Sequence, residues 1–534
     1  MAFVNQAAVR AAKPDHLNWM GGASFDLKDP LARLEMAASS CFFGEPQYYH
    51  VDSDDKRPRR AEPNRPALSP AQLEHLRRTL DARDPVEWRG MSPAALMERA
   101  IDDALTADAR RTLEFAARLR QEHHIRVTPQ VILVRAAHHK AVKTTGLVRQ
   151  HAPSIIQRAD EPATGLAYHL GRYGKDVPIP NSLKKAWRDA LESFDEYRLG
   201  KYRLESRAVK LVDVVNLVRP KSDAVNKLVR GELKMTDASW EAIISKEGST
   251  PEAWSKAIDV MGHMALLRNV RNLLEKGVPT SLFIDKLVKG APKGQQLPFR
   301  YFSAYKAVES SAPAPLLDAL EECLKVSLGN LPKFPGRLMA LSDNSGSAWG
   351  ATTSSMGTMH VAEIANLTGV LAGQRADDGY IGIFGDDLRE LPVRKTSSVF
   401  DQLRKANEEG RKIGQGTETG IWLFWDKAIR QKAHWDHVFV FSDMQAGHGG
   451  LYGSNPSAYS AYAWPGESRH IDVAKLVRKY RSEVNANVNV YLVQVAGYQG
   501  TILPEYYDRT YILGGWSEGL LRFAAAMSSP TTSQ

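Results

Sequence analysis

Cysteine is almost missing from this chain of 534 residues, with Cys41 and Cys323 the only two. Two thiols cannot build a disulfide framework or a thiolate zinc site, which excludes small secreted scaffolds and zinc ribbons. No apolar run approaches the roughly 20 residues needed to cross a bilayer. Residues 1–19 lack the apolar centre of a secretory signal, so a cytoplasmic protein without a membrane role is expected. Also missing are a phosphate-cradling glycine loop, an HExxH pair and a nucleophile set beside a base. A binding protein is therefore expected, and not an enzyme.

What the chain does have is ordinary globular content, 43% hydrophobic and 25% charged, and enough length for two or three domains. The net charge of +9 is uneven. Residues 331–534 sum to zero, and the whole excess can be assigned to residues 121–230. A basic excess confined to one region suits a surface for a polyanion, or else a solvated basic face with no partner.

From about residue 66 to 330 the pattern is helix after helix. Ser69-Pro70, Ser92-Pro93, Thr128-Pro129 and Thr250-Pro251 each set a hydroxyl cap before a proline, at the position where a helix can spare an N–H. In residues 261–279, Leu266, Leu267, Val270, Leu273 and Leu274 form one apolar face, closed by Gly277 and Pro279. Residues 206–220 behave likewise and end at Pro220. Serial amphipathic helices with short breaks predict an irregular α-solenoid. Residues 51–70, rich in charge and proline, read as a loop or arm. Residues 327–337 hold Gly and Pro breakers and mark the boundary between a domain at 1–330 and another at 331–534.

Beyond that boundary strand-like runs at 337–343, 380–384, 437–443 and 488–496 alternate with helical stretches at 359–373, 397–410, 418–432 and 469–484. Alternation of this kind predicts a doubly wound α/β domain with a mostly parallel sheet, whose ligands lie beyond the carboxyl ends of the strands. The first run ends in LSDNSGSAWG (341–350), with Asp343, Ser345 and Ser347 at alternate positions. These are hard oxygen donors of the kind Mg²⁺ takes, or a turn that satisfies its own backbone. Ser442-Asp443 ends a second run, and Thr417 lies in a glycine-bordered loop before a helix. The metal-binding set is thus Asp343, Ser345, Ser347, Thr417 and Asp443, with Mg²⁺ as the expected cation. The Asp-rich stretch 385–390 reads as a solvated turn.

D-x-S-x-S after a strand, a loop threonine and a later strand-end aspartate resemble the metal-ion-dependent adhesion site of von Willebrand factor A domains. Ala348 stands where that motif often has methionine, and Glu418 adds a carboxylate beside Thr417. The whole chain is similar to the TROVE family, the Ro autoantigen proteins and their bacterial relatives. CFFGEPQYY (41–49), GKYRLESRAVKLVDVVNLVRPKS (200–222) and MALLRNVRNL (264–273) carry the likeness in family order, ahead of the metal-loop pieces. The resemblance implies HEAT-like helical repeats closed into a ring, with a von Willebrand factor A-like domain joining its ends. It implies binding of Y RNA-like small noncoding RNAs, and of misfolded or precursor structured RNAs by their single-stranded 3′ ends. RNA quality control, decay and ribosomal RNA maturation follow, with a 3′-to-5′ exoribonuclease as partner.

Onto this sequence the family's RNA-binding segment places Lys201, Arg203 and Arg219, with Lys221 close by and Asn216 where many members carry histidine. Tyr202 either stacks on an unpaired base or packs on its own helix. Lys140 and Lys143 form a second basic cluster after the adjacent His138 and His139, which are spaced too poorly on a helix to chelate a metal and read as RNA-facing or solvated. The rival reading is a protein-adhesion scaffold, in which the metal grips the carboxylate of an acidic protein ligand and RNA is not the main partner.

Overall fold

In the computed structural model of the chain the described residues are 16–17, 23–26, 28–39, 93–202, 209–233, 239–350, 359–414, 419–442, 463–464, 467–471, 473–494, 500–501, 509–514 and 520–528. Helices fill the first part. They are α1 (Pro30–Ser39), α2 (Pro93–Gln121), α3 (Val127–His138), α4 (Leu147–Ile155), α5 (Glu161–Tyr173), α6 (Asn181–Ser193), α7 (Glu196–Lys201), α8 (Leu211–Val218) and α9 (Asp223–Arg230). There follow α10 (Trp240–Glu247), α11 (Pro251–Val260), α12 (His263–Glu275), α13 (Ile284–Gly294), α14 (Pro298–Val308) and α15 (Ala314–Ser327). Helices pack on the next in sequence and on the one after: α3 on α4 and α5, α4 on α6, α12 on α13 and α14, α13 on α15. Stacking of this kind makes a helical-repeat solenoid.

Local signals set many helix ends. Thr250 Oγ1 accepts from the Ala253 N–H at 3.2 Å with Pro251 in the first turn of α11, as its sequence predicts. Gly277 (φ +70°) follows α12, whose Leu266, Leu267, Val270 and Leu273 are buried. The Thr128-Pro129 pair is not a cap. Helix α3 begins earlier, at Val127, and Thr128 is fully buried within it, because packing and not the cap decides this start. Ser69, Pro70 and Ser92 lie outside the described residues, as does the whole of the 51–70 arm.

From Phe334 the pattern changes. The sheet strands are β3 (Phe334–Asp343), β4 (Ala376–Phe384), β5 (Leu388–Val393), β6 (His437–Ser442), β9 (Asn489–Gln494) and β11 (Thr510–Gly514), in the order β11-β9-β6-β3-β4-β5. All neighbours are parallel except β4 and β5. Short pieces β1 (His16–Leu17), β2 (Ala23–Asp26), β7 (Ala463–Trp464), β8 (Glu467–Ile471) and β10 (Gly500–Thr501) pair separately. The helices here are α16 (Gly346–Gly350), α17 (Val361–Arg375), α18 (Val399–Gly410), α19 (Thr419–Arg430), α20 (Val473–Glu483) and α21 (Leu520–Ser528). Two sequence expectations change. Residues 388–390 belong to β5, and their Arg389 and Glu390 pair with Glu409 and Lys427. Residues 469–471 end β8 and do not begin a helix.

Three buried clusters hold the described residues together. The first runs from Leu31 to Leu233 and is wholly helical. The second begins at Trp254 in α11, continues through β3 and α17, and ends at Ala524. The third fills the other sheet face, with Met339, Leu341, Val438, Val440 and Leu492, and takes in Ala32 of α1. Secondary structure therefore changes between Asn330 and Phe334, while the buried core runs across that point. Helix α1 packs on both α2 and β11, and Arg522 donates to the Asn330 carbonyl at 2.9 Å. The α/β part so touches both ends of the solenoid.

Helix α17 is buried on nearly every side and lies unusually close to the sheet. A Cβ added at Gly379 of β4 would fall 2.2 Å from the Gly373 carbonyl oxygen, backbone against backbone. Gly379→Ala should therefore destabilise the fold by about 1–3 kcal/mol, since neither chain has a flexible end to yield. The urea unfolding midpoint of the variant reads this loss directly.

Candidate functional site: a strand-end hydroxyl loop and a basic helical surface

The chain leaves β3 for β4 on one side and later returns to β6 on the other, so strand order reverses between β3 and β6. Ligand crevices form at such a reversal, beyond the carboxyl ends. The register Ser342↔Phe441 sets Asp343 beside the end of β6. Asp343 is fully buried. Its Oδ1 accepts from the Ser345 N–H at 2.9 Å and its Oδ2 from the Ser442 hydroxyl at 2.8 Å. The carboxylate is thus gripped from both strands.

Ser345 is buried and Ser347 half-buried, and their Oγ atoms lie 3.1 Å apart. Adjacent ligands of an octahedral Mg²⁺, at 2.0–2.1 Å from the ion, are about 2.9 Å apart. The two hydroxyls therefore fit neighbouring positions on such an ion, and the donor set is all oxygen, as Mg²⁺ requires. Asp343 stands behind them, held by hydrogen bonds on both oxygens. Thr417 and Asp443 lie outside the described residues. Among the described residues no group of three or more His, Cys, Asp and Glu forms a metal cluster.

The basic residues separate into two places. Lys201, at the end of α7, is exposed, and its Nζ lies 3.4 Å from the Tyr197 hydroxyl. Tyr202 is half-buried with the Arg158 guanidinium 4.2 Å above its ring, so one face is already covered. Asn216 and Arg219 are exposed on α8 and at its left-handed C-cap (φ +49°). Lys221 is exposed, with its N–H donating to Glu192 at 2.7 Å. The Glu196–Lys227 pair ties α7 to α9. Arg203 lies outside the described residues.

Lys140 and Lys143 are exposed after α3. His138 stacks on Tyr173 at 4.1 Å and bonds His169 at 3.1 Å, at the far end of α5 from Arg158. That helix has 13 residues, roughly 20 Å, so the two basic clusters do not meet. The stack also corrects the reading of His138 as RNA-facing or solvated: it is packed, and His139 approaches Thr106 at 3.3 Å. Tyr197 is the residue that sequence reading missed. It is 64% exposed, the largest exposure among the large exposed hydrophobic side chains described, and its position four before Lys201 was the available signal.

Helical repeats whose ends meet an α/β domain with a hydroxyl-rich strand-end loop define a class of ring proteins with an adhesion-type domain. A family model described as TROVE domain matches residues 229–316. The crystal structure of the Ro (RSR) protein of Deinococcus radiodurans superposes with a TM-score of 0.58 at 14% identity, covering 80% of this chain and 93% of that one. No curated protein matches the chain in sequence. Residues 229–316 thus resemble the TROVE domain, and the chain shares the fold of that Ro protein, a helical ring plus a von Willebrand factor A domain. Among the described residues no helix is long and apolar enough to cross a membrane.

Burial pushes the His138 imidazole down to about 4, with His169, Lys143 and Arg135 adding repulsion. In the unfolded chain it titrates near 6.5. Between these values the unfolded state takes up a proton that the fold refuses, so stability falls as pH drops from about 6.5 to about 4. His138→Phe, which keeps a ring against Tyr173, should show a shallower loss of thermal stability across that window than the wild type.

Proposed function

We propose that this protein is an RNA-binding ring. Its ligands are Y RNA-like small noncoding RNAs and misfolded or precursor structured RNAs held by their single-stranded 3′ ends. It serves RNA quality control, decay and ribosomal RNA maturation in the cytoplasm, alongside a 3′-to-5′ exoribonuclease, and is not itself an enzyme. The observation that carries the reading is the TROVE match within a helical part that also holds the basic excess of the chain. Several of those cations are spent on ion pairs, Arg135 with Glu98 and Asp102, Arg149 with Asp189, Arg158 with Asp160. Lys140, Lys143, Arg219 and Lys221 are exposed and have no salt bridge among the described residues. Cations that reach solvent neutralise phosphates without regard to sequence.

Binding by these groups releases counterions, so log affinity falls linearly with log salt, by about 0.7 per neutralised phosphate on a single strand. Lys201→Ala with Arg219→Ala should make that slope shallower by about 1.4, with a similar loss for RNAs of different sequence. Tyr197→Ala should weaken single-strand binding with little change of slope, because stacking releases no counterions. A filter-binding salt series on a 3′-tailed hairpin measures both. An unchanged slope in the double variant would move the RNA surface to Lys140 and Lys143.

A second site belongs to the same reading. We propose that Ser345, Ser347 and Thr417 hold Mg²⁺, with Asp343 and Asp443 directly or through water. The support is the 3.1 Å hydroxyl pair set in front of a buried carboxylate. A bound Mg²⁺ would supply an open coordination position for an acidic group, such as a protein carboxylate. Ser345 and Ser347 would orient it, and Asp343, held by Ser442, would keep the loop from turning away. Asp343→Ala and the gentler Ser347→Ala should both abolish calorimetric Mg²⁺ binding and leave RNA affinity nearly intact.

A further inference from the structure

The residue between the aspartate and the first serine of the metal loop is turned inward. Asn344 Nδ2 donates to Asn366 Oδ1 at 3.0 Å, and Asn366 Nδ2 donates back to Asn344 Oδ1 at 2.9 Å. Both side chains are buried, at 1% and 0% exposure. Asn366 Nδ2 donates again, to Asn407 Oδ1 on α18 at 2.8 Å, while the Ser342 hydroxyl donates to Asn366 Oδ1 at 2.6 Å. Three amides thus run from the loop, through α17, to α18.

Helix α18 is held at both ends by different parts of the molecule. At its start Phe400 stacks on Tyr305 of α14 at 3.9 Å. At its end the backbone of Gly410 comes so near the loop that a Cβ there would fall 1.9 Å from Asn344 Oδ1. The next residue, Arg411, lies over Trp349 at 4.1 Å, two positions beyond Ser347. Beside that contact a groove of about 320 Å³ runs between α14 and α18, with Asn407 and Arg411 in its wall. A loop movement that broke the amide chain would leave buried donors and acceptors unpaired, which favours the three asparagines moving as a unit.

We propose that Asn366 is a positioning residue that couples metal occupancy of the 343–347 loop to the seat of α18 on the solenoid. The proposal rests on the metal reading above and goes beyond it, because it gives the metal an effect on the helical part. Hydrogen exchange of the full chain, with and without Mg²⁺ alone, tests it beside calorimetry. In the wild type Mg²⁺ should slow exchange in residues 343–350 and also in 399–410. Asn407→Ala, at the half-buried end of the chain of amides, should still bind Mg²⁺ and protect the loop, yet lose the protection of 399–410. Asn366→Ser should lower Mg²⁺ affinity about tenfold, and where that variant melts early Asn407→Ala decides. Mg²⁺ binding with no change in 399–410 would overturn the coupling and spare the metal site. Absence of Mg²⁺ binding to the wild type would overturn both.

Discussion

The parallel pairing of β3 with β6 is the constraint on which the rest depends. Leu338 and Ala340 of β3 enter one core and Met339 and Leu341 the other. A slip of one residue would exchange those faces, so burial locks the register. The same register sets the Ser442 hydroxyl within 2.8 Å of Asp343. The carboxylate is then fixed, and the loop that follows can offer Ser345 and Ser347 side by side. Apolar alternation along a strand thereby decides where two hydroxyls stand.

The close approach of α17 to β4 extends that control sideways. Glycines at 369, 373 and 379 let helix and sheet meet backbone to backbone. Asn366 is carried on this tightly seated helix, which explains how an amide can be aimed at a loop with little freedom to drift. The cost of such closeness is intolerance: at Gly373 and Gly379 no side chain fits without moving backbone or Val393.

Much of this was legible in the sequence. Buried parallel strands announce themselves as apolar runs, and β3, β4, β6 and β9 all lie on the stretches so read. The edge strands β5 and β11 do not. LRELPV carries two charges and a proline, as edges do, and so looks like a turn. The hydroxyl loop was visible because Asp343, Ser345 and Ser347 are neighbours in the chain. The asparagine chain was not, because Asn344, Asn366 and Asn407 are 22 and 41 residues apart and nothing local links them. Tyr202 was judged by Lys201 and Arg203 on either side, whereas Arg158 from another helix covers its ring. Thr128 shows the opposite failure, a good local cap signal overruled by packing.

The contact of α1 with both α2 and β11 has a consequence for the birth of the molecule. Helix α1 is made well before its strand partner β11. At ~5–20 residues per second, synthesis of the intervening chain takes on the order of half a minute or longer. During that time Leu31 and Leu34 have their early partner in α2, while Ala32, which later meets the sheet, waits uncovered. Until β11 is made, the side of α1 that faces the sheet has no partner. The contact between α1 and β11 is therefore a late step of folding, timed by the order of synthesis and not by local propensity.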